Sequence, residues 1–418
     1  MMRVVDLSDP PSPDAAEPAG VVVATGDPAA PGAEHWLQRA TFTLTEQPCE
    51  DRRVVRVPSV QRTLAELDQR CRTWPKAAAI GDDVLRAVDV AAPAHAGLIA
   101  ESLAYSTLQG SAEFQSWLAA RGPRTPPALP DPVLAQRDGD TLRVRFNRPG
   151  RHNAFSTDAR AALLEALEIA RLDPSVTEVV LSGNGPSFCS GGDLAEFGSF
   201  TDPAHAHLAR TRHSPALVLD ELVRRLGPAL RAEVHGQVLG SGLEMAAYCG
   251  RVTAHPDSVI GLPELELGLI PGAGGTVSIT RRIGRWRTAY LFLTGDTVDP
   301  ATALQWGLVD EVTTDARTVV PPVIRLMPEY TVDFPLWESG GQRYLLARGD
   351  LPLSKDLERD LEQWAGFFNR HFHHDLGWDQ PDAGADWGRW GDRLAAALRA
   401  ELAGIAEVTT DFWPLAHG

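Results

Sequence analysis

Two glutamates and one run of small residues carry the chemistry legible in this chain. Glu244 stands in Gly240-Ser241-Gly242-Leu243-Glu244, and Glu264 follows Pro263 in Leu262-Pro263-Glu264. Two carboxyls whose surroundings hold one neutral and the other charged divide acid and base work between them. The segment Phe188-Cys189-Ser190-Gly191-Gly192-Asp193 adds backbone N–H groups that can meet a developing negative charge, with glycines that permit close approach. The combination suits proton transfer beside a carbonyl that becomes an oxyanion. Taken singly, each acid has an ordinary reading: Glu244 as a first-turn helix acid favoured by the dipole, Glu264 as a solvated loop acid. Glu266, two residues on, is the spare carboxylate. Gly183-Asn184-Gly185 is followed by Phe188 where a dinucleotide fingerprint needs a third glycine, so that reading falls.

The elements around these residues alternate strand, loop and helix. Asp138-Gly139-Asp140 reads as a hairpin turn before a strand showing Leu142, Val144 and Phe146 on one face. Ser156 or Thr157 can cap a helix through Leu163, Leu164, Leu167 and Ile169 that Asp173-Pro174 stops. Val179-Val180-Leu181 is a buried-strand run emptying into the Gly183–Gly192 loop. Leu239-Gly240-Ser241-Gly242 opens a helix, whose free N–H groups point the same way as its dipole. Pro271-Gly272-Ala273-Gly274-Gly275-Thr276 suits a second helix start lining a pocket.

With 418 residues the chain exceeds one ordinary domain. Its net charge of −16 argues against nucleic acid as a partner. The four cysteines, Cys49, Cys71, Cys189 and Cys249, have neither metal spacing nor a disulfide framework, which fits a reducing cytoplasm. No apolar run approaches the roughly 20 residues of a bilayer span, and no signal-peptide layout is present. The expectation is a cytoplasmic protein with no membrane partner.

From about residue 131 to 312 the chain resembles the crotonase family, the enoyl-CoA hydratases and isomerases. The resemblance rests on pieces in the family's order: Asn147-Arg148-Pro149 with Asn153-Ala154, Val179 to Gly183, and Phe188 to Leu194. It continues through His235 to Glu244, Pro263-Glu264 with Gly268 to Thr276, and Leu293-Thr294-Gly295 with Gly307-Leu308-Val309. It covers a little under half the chain. The resemblance implies an α/β fold, a crotonase-like ββα spiral core, here with an N-terminal α/β extension and a helical C-terminal region. It implies an acyl-CoA thioester substrate, no cofactor beyond the coenzyme A of that substrate, and a homo-oligomer, a trimer or hexamer. It also implies a fatty-acid type of chemistry: hydration of a 2-enoyl-CoA, with Glu244 activating water and Glu264 delivering the α-proton. Enoyl-CoA isomerisation, thioester hydrolysis or oxygenation on the same scaffold, and a non-catalytic acyl-CoA-binding subunit remain open.

By position in the family motif, the oxyanion donors are the backbone N–H groups of Ser190 and Ser241. Serine at 241, where the family usually has glycine, keeps the donor and adds a hydroxymethyl group to the acyl channel. Gly191, Gly192, Asp193, Leu194 and Gly240 complete the binding loops, and the Gly272 backbone stands near the attacking water. The base that often follows the loop aspartate is missing from Asp193-Leu194-Ala195-Glu196. Arg151, beside His152 and Asn153, is the candidate for a CoA phosphate, with Arg210, Arg212 or another subunit as substitutes.

The flanks read differently. Residues 1–125 alternate strand-like and helical stretches and end in the linker Arg121-Gly122-Pro123-Arg124-Thr125-Pro126-Pro127. Leu98 to Pro123, with Glu101, Tyr105, Phe114 and Trp117, resembles the closing helix of crotonase enzymes. The expectation is a reduced crotonase-like half whose closing helices pack where those of residues 131–312 would have been; an unrelated appendage is the alternative. Residues 313–418 hold six of the 11 tryptophans and an amphipathic helix through Leu394, Leu398, Leu402 and Ile405. These aromatics read as core and interface packing, or as part of a large acyl pocket. His371, His373, His374 and Asp375 lack a distant metal partner, so no metal site is expected. Cys189 reads as a small buried thiol. His205, His207 and His213 lie in the segment that covers the acyl pocket.

Overall fold

The computed structural model describes residues 2–9, 20–124, 131–199, 202–313, 323–330, 332–339, 345–374, 376–380, 382–403 and 406–413. Within the linker, residues 125–127 lie outside these, as do Asp375 and Ile405. The described residues form two compact units. One takes those up to 313 apart from 131 and 147–151; the other takes the rest.

The first unit begins with β1 (Arg3–Asp6), β2 (Val22–Thr25), α1 (Ala33–Arg39), β3 (Phe42–Thr45) and β4 (Val54–Arg56). Its strands form an all-parallel sheet in simple order, β1-β2-β3-β4. Helices α2 (Val60–Thr73), α3 (Pro75–Ala87), α4 (Ala94–Gln109) and α5 (Ala112–Arg121) follow. Ser59 and Ser111 cap α2 and α5, accepting from the N–H of Arg62 and Phe114.

Next come β5 (Val133–Asp138) and β6 (Thr141–Phe146), the expected hairpin around Gly139, then α6 (Thr157–Leu172) and β7 (Glu178–Gly183). Ser156 is the residue that caps α6, accepting from Ala159 N at 3.1 Å. Helices α7 (Pro203–Arg212) and α8 (Pro215–Leu226) precede β8 (Leu230–Val234), β9 (Gln237–Leu239) and the short α9 (Ser241–Ala246). The unit ends with β10 (Arg251–Ala254), β11 (Val259–Gly261), α10 (Gly275–Thr294), β12 (Thr297–Val298), α11 (Pro300–Trp306) and β13 (Glu311–Val312). Strands order as β13-β10-β8-β7-β6-β5, parallel from β6 onward, beside a smaller sheet β12-β11-β9. Each strand from β6 through β7, β8 and β10 is added at the same edge, as β1 to β4 are in their own sheet.

One hydrophobic core runs from Val21 to Val309 and joins the two parts of this unit. Polar bonds pin them as well. Arg281 donates to Ala92 O at 2.8 Å and pairs with Asp220, which also accepts from Ala94 N. Arg70 donates to Leu293 O at 2.9 Å, and Arg285 to Ala40 O at 3.1 Å. Helix α10 is interrupted at Gly284, whose φ of 78° favours glycine.

The second unit is not only helical. Its strands β14 (Val323–Leu326), β15 (Leu336–Ser339) and, after the helices, β18 (Glu407–Thr410) make a sheet in the order β15-β14-β18. Helices α12 (Lys355–His371) and α13 (Ala383–Glu401) flank a two-residue hairpin of β16 (Phe372–His373) and β17 (Gly377–Trp378). The sheet escaped the sequence because each strand is four residues long, too short for alternation to show. Trp364 and Trp387, both fully buried, stack with centroids 4.4 Å apart. Each indole N–H donates to the other residue's carbonyl, at 3.0 and 3.2 Å. Among the described residues no helix is long and apolar enough to cross a membrane.

The stacked pair generates a prediction. Trp387→Ala is expected to cost the second unit about 3–5 kcal/mol. Urea unfolding followed by circular dichroism checks this, with the tryptophan exciton band lost in the variant.

Candidate active site

A cavity of about 290 Å³ opens in the first unit, lined by Ser190, Gly191, Gly192, Asp193, Leu194, Gly240, Ser241, Glu244, Glu264 and Gly272 among others. The two glutamates reach it by different routes. Glu244 sits one turn into α9, buried, and its Oε2 accepts from Ala273 N and Gly275 N, both at 2.7 Å. These amides are the unpaired donors at the start of α10. Burial pushes the Glu244 carboxyl up to about 7, against the pull of those amides. Glu264 opens a single 3-10 turn after Pro263 and lays its Oε1 against Gly240. A Cβ at Gly240 would stand 2.4 Å from that oxygen, and φ there is 47°, so the close approach requires glycine. Glu264 Oε2 is buried with no hydrogen-bond partner among the described residues. Burial first, and then the Glu244 charge, hold this carboxyl well above its ordinary value.

Of the two amides expected as oxyanion donors, Ser190 and Ser241, one is occupied. Ser190 N–H is spent on His152 O at 2.9 Å. The bridge between Phe155 and Gly192 uses Gly191 O and Asp193 N, which leaves the Gly192 N–H unused among the described residues. Ser241 N–H, at the first position of α9, is likewise unused. Gly192 and Ser241 are neighbours, since a Cβ at 192 would lie 3.9 Å from Ser241 Oγ. The offset of two residues arose because the alternation of the bridged strand decides which amide faces the cavity.

Three proposed contact residues do not line this cavity: Arg151, His152 and Asn153. His152 Nδ1 lies 2.8 Å from Ser187 Oγ. Asn153 donates to Asn184 O and Ser187 O, at 2.9 and 2.7 Å. Both adopt left-handed backbone angles and shape the loop from behind. Arg151 falls in the second compact unit.

Comparison with known proteins bears on this constellation. Residues 137–333 match the model described as enoyl-CoA hydratase/isomerase. The 2,3-dehydroadipyl-CoA hydratase of Escherichia coli is 33% identical over 43% of this chain and 68% of its own length. The chain belongs to the enoyl-CoA hydratase/isomerase family. It is thus a crotonase-fold enzyme of acyl-CoA thioesters. The probable enoyl-CoA hydratase echA8 of Mycobacterium bovis is 30% identical over 46% of this chain and 76% of its own. Among solved structures, Pseudomonas aeruginosa AtuE is 32% identical over 44% of this chain and 71% of its own, with a TM-score of 0.40. Residues 322–411 match a different model, described as Serratia CdiI immunity protein-like.

Two site residues of this family member come from outside the family match. Glu101, on α4, is buried and accepts from Gly274 N, Thr276 N and Thr276 Oγ1 at 2.8, 3.0 and 2.6 Å. Burial, and then the charge of Glu244, push it up to about 8. Tyr105, one turn on, packs its ring where a Cβ at Gly272 would fall, 2.4 Å away. Both stood in the stretch resembling a closing helix, which was the signal available. Arg121, at the end of that stretch, donates to Leu194 O beside the oxyanion loop.

The remaining clusters settle into place. Glu266 pairs with Arg70 at 2.9 Å and is mostly exposed. Cys189 is buried beneath the loop. His207 Nδ1 lies 3.0 Å from Ser102 Oγ, and His371 pairs with Asp379 at 2.9 Å. The described tryptophans are absent from the cavity wall.

The raised Glu101 carboxyl fixes a pH signature. The folded state keeps its proton above the ordinary value of 4.5, so its contribution is full below that pH and is lost as pH rises through about 8. Relative to Glu101→Gln, wild type is expected to lose up to about 1.4 kcal/mol per pH unit across that window. Urea titrations of both proteins at several pH values check the slope, and equal slopes contradict it.

Proposed function

We propose that the protein hydrates a 2-enoyl-CoA thioester. The observation that carries this is one cavity lined by two buried carboxyls, Glu244 pushed up to about 7 and Glu264 raised well above its ordinary value, with two backbone donors unused among the described residues. The thioester oxygen accepts from the N–H groups of Gly192 and Ser241, which stabilise the enolate more than the ground state. Glu244, clamped on the α10 amides, takes a proton from water as its oxygen bonds to the β-carbon. Glu264 gives its proton to the α-carbon. The two glutamates exchange that proton inventory before the next turnover. Arg121 beside Leu194 supplies a cation for the phosphate end that residues 193–196 lack.

The N-terminal segment belongs to this reading. We infer that residues 1–125 are a reduced crotonase-like half lending its closing helices to the catalytic half. The matching parallel strand order of β1 to β4 supports it, as do α4 against α10 and Glu101 on the α10 amides. No step is assigned to the second unit, whose likeness to immunity proteins supports a separate role.

Loss of conjugated-thioester absorbance with 2-enoyl-CoA substrates tests the proposal. Glu244→Gln and Glu264→Gln are each expected to lower kcat by about 10²- to 10⁴-fold. Migration of the double bond without water addition, surviving in Glu244→Gln, would instead identify an isomerase.

A further inference from the structure

The cavity wall carries two arginines that the hydration chemistry does not use. Arg160 lies in the first turn of α6 and lines the same space as Glu244 and Glu264. Among the described residues its guanidinium makes no hydrogen bond and no ion pair with the protein. Burial depresses its pKa, with Tyr105 and Glu196 acting in opposition. Glu196 is committed elsewhere: its Oε2 accepts from Thr157 N and Thr157 Oγ1, at 2.7 and 2.9 Å.

Arg210, on α7, is held in the same wall, among the described residues, by neutral groups only. It donates to Ser102 Oγ at 3.2 Å, Gln109 Oε1 at 3.1 Å, Ser102 O at 3.3 Å and Ser106 Oγ, and lies over the Tyr105 ring. Burial lowers its pKa too, and the charge of Arg160 adds to that. Glu264 shares the wall with one carboxyl oxygen unpartnered among the described residues, and burial holds that carboxyl well above its ordinary value; the other acids are engaged. Asp193 accepts from Ala195 N, Glu266 pairs with Arg70, and Glu244 holds the α10 amides. Two guanidiniums therefore line one cavity, neither bonded to a carboxylate among the described residues, beside Phe155, Phe197 and Tyr105. Removing a cation from water is costly unless an anion meets it, and the guanidinium fork matches a carboxylate in geometry.

We propose that the acyl group taken by this site carries its own carboxylate, bound by Arg160 with Arg210 as the supporting charge. This rests on the hydratase reading for the thioester end and adds the class of the acyl chain. The protein's net charge of −16 sharpens the point, since an anionic acyl chain needs local positive charge to be held. Helix α4 takes part through Ser102, Ser106 and Gln109, which fix the Arg210 fork.

The test uses two 2-enoyl-CoA thioesters of equal chain length, one ending in a carboxylate and one in a methyl group. Their saturated, unreactive counterparts serve for equilibrium binding by calorimetry. Wild type is expected to favour the carboxylate-ended compound about a hundredfold in both kcat/KM and binding. Arg160→Met should collapse that ratio toward one, whatever the absolute rates, while Arg160→Lys retains part of it. Equal treatment of the two compounds by wild type in binding overturns the proposal. So does a ratio that Arg160→Met leaves unchanged. Preferential binding without turnover of either thioester would sink the hydration reading and leave this inference standing; hydration of both without preference would do the reverse.

Discussion

The start of α10 is the constraint on which the site depends. A helix N-terminus presents unpaired N–H groups and a positive dipole end, and here it is buried where water cannot satisfy them. Two carboxyls share it in alternation: Glu244 takes Ala273 and Gly275, and Glu101 takes Gly274 and Thr276. Each bond that satisfies the helix also fixes a carboxyl. The Glu244 carboxyl is therefore held in one orientation by the fold itself. The cost is two acids in a low-dielectric space, and both respond by holding protons toward neutral pH.

That arrangement ties α4 to the site. Remove α4 and two α10 donors lose their acceptor, Gly272 loses the ring packed on it, and Arg210 loses most of its partners. The glycines of residues 272–275 follow from the same crowding. A Cβ at Gly275 would meet Glu244 Cγ at 2.5 Å, just as one at Gly272 would meet Tyr105. Backbone, acid and aromatic ring thus leave one another only the space that glycine frees. The cavity divides by charge: carboxyls at the helix starts and guanidiniums along α6 and α7.

The sequence by itself determined the family core. The ordered motifs placed Glu244 on a helix start, Glu264 behind a proline, and Ser241 at an amide that donates to nothing among the described residues. It also marked Leu98 to Pro123 as helical and aromatic. These are local signals, carried by spacing, capping and glycine. Tertiary structure decided what local signals do not encode. Which loop amide faces the cavity turned on a single strand pairing, Phe155 with Gly192, so Ser190 gave way to Gly192. Asn153 became a buried brace, because its amide finds two carbonyls across the loop. The four-residue strands of the second unit pair only once residues far apart in the chain meet. Folding buried Glu101 against another helix's amides and set Arg160 in the cavity wall with no ion pair among the described residues. A charge takes its meaning from what surrounds it after burial, and that is set by packing across distant segments rather than by neighbours in the chain.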